Sequence, residues 1–180
     1  MELTEAPADK TTPTGTKEMR QIVQRCVSSL EHALKERSDF ADALALQSVC
    51  LDRLARLSTW RAPFAGQKSV TQLRKALQLA PRNPRVLLLD AIDEYERSKA
   101  PQGAARSCEK FKNTAAVFDA ERAAVDQVPG WGAAEAYMWL GRCYLGNGDV
   151  VPARDALERA LLIAPEFAHA RRLLTSITSG

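Results

Sequence analysis

Apolar residues recur at intervals of three and four along most of the chain, and short stretches rich in Pro, Gly and Asn interrupt them. Such spacing places side chains on one face of an α-helix, whereas the strict alternation of a half-buried strand is nowhere sustained. The pattern predicts an all-α fold of about eight antiparallel helices. A first helix follows Thr16, its N-cap, and carries Met19, Ile22, Val23, Cys26, Leu30, Ala33 and Leu34 on its apolar face. A second, from Asp39 to Arg56, turns Leu44, Ser48 and Leu51 inward. Trp60, Pro63, Phe64 and Gly66 then read as a loop over residues 57–67, longer than an ordinary helix connection. The third helix, Lys68 to Leu79, stops before Pro81. Asn83-Pro84 opens a fourth that runs to about Ser98, in which either Leu87 or Leu88 joins Ala91 and Tyr95 on the buried face. Pro101 and Gly103 break the chain before a long fifth helix with Ala104, Cys108, Phe111, Ala115 and Phe118 in one seam. Pro129-Gly130 turns the chain into a helical hairpin, and a last helix from Phe167 to about Ile177 caps the array.

The hairpin from Tyr137 to Pro165 is the most specific stretch. Tyr137, Leu140 and Tyr144 share one helical face, and Gly141 on that face lets a second helix approach closely. In the second helix, Ala153 and Ala160 are small, with Leu157 between them as the larger knob. Gly146 to Asp149 form the turn, with Asp149 placed to cap the next helix, Pro152 falls in a tolerated first-turn position, and Pro165 ends it. These positions resemble a tetratricopeptide repeat (TPR). Leu30-Glu31-His32-Ala33-Leu34 and Leu73-Arg74-Lys75-Ala76-Leu77 echo Leu157-Glu158-Arg159-Ala160-Leu161. The copies start 43 and then 84 residues apart. The family's unit is about 34 residues, so the repeats are irregular and contain insertions.

The resemblance implies a right-handed TPR-like α-solenoid whose first helices line a concave groove for a peptide or a partner's helix. Carried over by register, the groove positions are Asp42, Ala45, Leu46, Val49, Asp52 and Arg53 on the second helix. The fourth helix adds Arg85, Leu88, Leu89 and Ile92, and the sixth adds Glu135, Met138, Trp139, Arg142 and Leu145. The peptide-binding set expected from these is Asp42, Val49, Arg53, Leu88, Ile92, Met138, Trp139 and Arg142. Trp139, two positions from Tyr137, points away from its own hairpin, where it either anchors a partner or packs on the adjacent long helix. Trp131 reads as a hydrophobic staple at the start of the sixth helix. Chaperone-binding members of the family hold a C-terminal carboxylate with lysine and asparagine. The equivalent places here are Ala45 and Val49, which speaks against that subclass. The function implied is a non-catalytic interaction scaffold or adaptor. The alternative is a structural subunit docked into a larger complex through its convex face or the 57–67 loop.

Composition narrows the remaining classes. The net charge is +3 with a pI near 8.7, and the basic stretches Arg53 to Arg61 and Arg171-Arg172 lie among acidic residues, so no nucleic-acid partner is expected. Asp90, Asp93, Glu94 and Glu96 form the densest acidic group and read as a hydrated face, with cation binding as the competing reading. No phosphate loop, nucleophile elbow or zinc-protease motif occurs, so no enzyme, cofactor or metal is expected. Cys26, Cys50, Cys108 and Cys143 have no C-x-x-C spacing and read as buried free thiols, with a Cys26–Cys50 disulfide as the alternative for an exported protein. No stretch has the length of a membrane span, and a cytoplasmic location is expected. Residues 1–16, with Pro7, Pro13 and Gly15 and no periodicity, are expected to form a disordered tail ahead of a helical domain over 17–180.

Overall fold

The computed structural model describes residues 13–57, 62–98, 101–124 and 130–178. Among them are eight helices and no strand: α1 (Pro13–Glu36), α2 (Ala41–Arg56), α3 (Ala62–Leu79), α4 (Pro84–Arg97), α5 (Pro101–Ala124), α6 (Ala133–Asn147), α7 (Val150–Ile163) and α8 (Ala168–Thr178). The order of the expected helices holds.

Where the boundaries differ, proline is the reason. α1 begins at Pro13, so Thr16 lies inside the helix rather than capping it, and the tail expected over 1–16 loses its last four residues. Residues 1–12 of that tail lie outside the described residues. Similarly, α3 begins at Ala62 and takes Pro63, Phe64 and Gly66 into its first turns, so most of the expected 57–67 loop is helix. Proline lacks an N–H that a first turn does not need, and this makes it a start signal as readily as a break. Pro101 opens α5 in the same way. Trp60 lies outside the described residues.

The chain divides into two units, residues 1–81 and 82–180. In the first, α2 packs between α1 and α3, with Leu44, Ser48 and Leu51 buried as expected. In the second, α4 through α8 pack each on the next, and α6 also touches α8. Asn83 Oδ1 caps α4 by accepting from the backbone N–H of Arg85 at 2.9 Å. Leu88, rather than Leu87, joins Ala91 in the core, which fixes the register of α4. Phe111, Ala115 and Phe118 form the expected seam of α5.

Two glycines set close approaches in the second unit. A Cβ on Gly141 would stand 2.7 Å from Leu157 Cγ and 3.1 Å from the Ala153 carbonyl, so the α6–α7 contact requires the bare backbone. Ala153 and Ala160 are fully buried in that contact, as the repeat spacing demands. Gly132, at φ +103°, would bring a Cβ to 2.4 Å from the ring of Phe118. Asp149 occupies the N-cap of α7, but its side chain makes no capping hydrogen bond, contrary to expectation.

Candidate functional site

The centre of the second unit is aromatic. Trp139 of α6 stacks on Phe111 of α5 with ring centroids 5.9 Å apart and planes 14° from parallel. Tyr95 of α4 meets both rings edge-on, at 5.7 Å from Trp139 and 6.0 Å from Phe111. Edge-on and offset contacts of this kind suit the ring quadrupoles. Trp139 is only 4% exposed and Met138 and Leu88 are sealed beside it. Of the two readings of Trp139, the structure therefore realises packing against the long helix. Leu88, Met138 and Trp139 are core, and their proposed contact with a partner is corrected accordingly.

Three half-buried side chains of the expected set's neighbourhood lie above that core. Ile92 and Tyr95, three residues apart on α4, and Leu145 on α6 pack their inner atoms against it. Arg142, also half-buried, holds its guanidinium 4.9 Å from the Trp139 ring centre and 6.0 Å from that of Tyr95. Gly146 brings the end of α6 under Tyr95, whose hydroxyl stands 3.8 Å from where a Cβ would be. Of the expected positions in this unit, Ile92 and Arg142 thus remain available, and Tyr95 joins them. Spacing alone reads Tyr95 only as a core residue, because it shares a face with Ala91, whereas the structure leaves it half-buried.

Other register-derived positions are already committed. Arg85 is 3% exposed, sets its guanidinium fork on both carboxylate oxygens of Glu121 at 3.0 Å, and lies over the rings of Phe118 and Trp131. Glu135 accepts from the Gly132 backbone N–H at 2.9 Å and so belongs to the start of α6. Ala45 and Leu89 are buried. In the first unit, Asp42, Val49 and Arg53 share one face of α2, the first two half-buried and the third exposed.

Three carboxylates of the acidic group on α4 are ion-paired by neighbours. Lys110 of α5 bridges Asp90 at 2.6 Å and Glu94 at 2.5 Å, while Arg97 pairs with Asp93 at 2.8 Å. This arrangement favours the hydrated, ion-paired face over the cation-binding reading. Burial alone would lower the Lys110 ammonium, but the hydrogen bonds and charges of Asp90 and Glu94 outweigh it and raise its pKa above 10.5. A raised folded-state value means that the stabilisation is complete below the ordinary lysine range and fades as pH rises through the folded value. The melting temperature of wild type is therefore expected to exceed that of Lys110→Met at neutral pH. Scans over roughly pH 9–12 should show the two converging only at the alkaline end. A constant difference across the range would contradict the bridge.

Residues 98–177, which span α5 to α8, match the sequence profile described as tetratricopeptide repeat. Over those residues, a little under half of the chain, the sequence is similar to the tetratricopeptide repeat family. Among solved structures, the crystal structure of MamA superposes with a TM-score of 0.50 over 94% of this chain and 84% of that one, at 14% identity. At that identity the likeness is one of fold. No curated protein sequence matches.

The TPR register also explains residues that the spacing alone misjudged. All four cysteines pair, so the free-thiol expectation is overturned; the alternative Cys26–Cys50 disulfide is present, and Cys108–Cys143 joins it. Cys26 and Cys108 each precede a repeat alanine, Ala33 and Ala115, by seven residues. Cys50 and Cys143 each follow the close-approach position of their helix, Ser48 and Gly141, by two. Each disulfide therefore ties a second-type helix to the first-type helix that follows it, once in each unit. That recurrence was the available signal, and it is invisible until the helices are put in repeat register.

Proposed function

We propose that this TPR-like protein is an adaptor that binds a peptide or helix of another protein on the α4 and α6 face of its second unit. The fold is that of a protein-interaction scaffold, and TPR modules are as a rule non-catalytic. The observation that carries the finer reading is the layer of Ile92, Tyr95, Arg142 and Leu145. These are half-buried apolar, aromatic and cationic groups packed over an aromatic base, the composition found at interface centres. Asp42, Val49 and Arg53 on α2 are proposed as a second contact area of the same kind, in the first unit.

Docking into a larger assembly through other surfaces makes a distinct prediction, because the two most exposed of the large apolar residues outside this layer are Phe64 on α3, 81% exposed, and Leu162 on α7, 74% exposed. Affinity capture from native extract is expected to fail with Ile92→Glu and to succeed with Leu162→Glu and Phe64→Glu, with helicity unchanged in all three. Loss with Leu162→Glu or Phe64→Glu alone would move the interaction to those surfaces. No described helix is long and apolar enough to cross a membrane. Two disulfides, one per unit, support maturation in an oxidising compartment rather than the cytoplasmic location expected from the sequence.

A further inference from the structure

Of the arginines whose side chains are described, Arg85 and Arg142 are the two that are not exposed. Arg85 is matched by the carboxylate of Glu121. Arg142 has no hydrogen bond and no carboxylate partner among the described residues; only the faces of Trp139 and Tyr95 hold it. A cation–π contact gives the N–H donors of the guanidinium no hydrogen-bond acceptor, so they stay available to a ligand. A planar fork with open donors, partly removed from water and fixed by two rings, is pre-organised for a planar acceptor with two oxygens.

We propose that Arg142 is the receptor for a carboxylate on the partner, an acidic side chain flanked by an apolar residue that covers Ile92 and Leu145. The proposal rests on the reading that the α4 and α6 face is the binding surface, and it adds the chemistry recognised there. A carboxylate fits better than a phosphate group because the charge offered is single. Lys110 of α5 and Arg97 of α4 are already engaged by Asp90, Glu94 and Asp93, so Arg142 offers one positive charge with no second cation to balance a dianion. Trp139 and Tyr95 act as positioning residues for the guanidinium.

A displayed library of random 16-residue peptides selected on the full chain tests this. Selected peptides are expected to share an Asp or Glu next to an apolar residue and to lose binding to Ile92→Glu. They are also expected to bind Arg142→Gln at least about tenfold more weakly, about 1.4 kcal/mol. The same loss is expected when the acidic residue of the peptide is replaced by its amide, a change that leaves the protein's fold untouched. Peptides that depend on Ile92 but show no acidic preference, or tolerate the amide without loss, would overturn the carboxylate site and leave the binding face standing. If no selected peptide depends on Ile92, or none is selected, the face itself is wrong and the carboxylate site falls with it.

Discussion

Trp139→Ala is expected to destabilise the second unit by about 3–5 kcal/mol, the range for removing a buried large aromatic. The indole is sealed between Phe111 and Tyr95 and carries Arg142 on its other contacts. Its deletion removes apolar burial, two ring contacts and the platform of the guanidinium together. Since domains are stable by only about 5–15 kcal/mol in total, a loss of this size takes a large share of what the unit has. Urea titration followed by circular dichroism should show the midpoint fall steeply for Trp139→Ala and stay near wild type for Ile92→Glu. A Trp139→Ala protein that melts like wild type would mean that the indole lies outside the core.

The second large effect concerns the disulfides. Cys108 and Cys143 are 35 residues apart and Cys26 and Cys50 are 24 apart. By chain entropy alone, closing loops of these lengths stabilises by about 3–4 kcal/mol each, with the longer loop ahead by only a few tenths. Cys108→Ala with Cys143→Ala is therefore expected to lower stability by about 2–4 kcal/mol once strain and residual structure are allowed for. Wild-type protein treated with a thiol reductant should fall at least as far, since both bonds open. Alkylation of unreduced, denatured protein should find no free thiol. Four reactive thiols, or a melting curve indifferent to reductant, would contradict the pairing.

How much of this was legible in the sequence depended on the range over which each contact is encoded. Gly141, Ala153 and Ala160 were readable because a hairpin's own contact is written within 20 residues, in small residues at fixed spacing. Trp139 was not, because its partners Phe111 and Tyr95 lie 28 and 44 residues upstream, and a residue turned away from its own hairpin meets the previous one instead of water. The free-thiol reading of the cysteines failed for a related reason: Cys26–Cys50 stood as the alternative, but Cys108 and Cys143, 35 residues apart, look unrelated until both helices are placed in repeat register. At 57–67, Pro63 and Gly66 carried a break signal that a first helical turn absorbs. On the proposed face, Ile92 and Arg142 came from register alone. Tyr95 was missed as a surface group because spacing reports which way a side chain leaves the helix, and a tyrosine long enough to cross the core edge can do both.

The central claim is that a partner lies across α4 and α6, on the side chains above the aromatic base. Amide and side-chain chemical-shift mapping on the labelled full chain, titrated with a selected peptide or the captured partner, tests it most directly. The largest shifts are predicted at Ile92, Tyr95, Arg142 and Leu145. Shifts confined to Phe64, Val151 or Leu162, with those four unmoved, would contradict it.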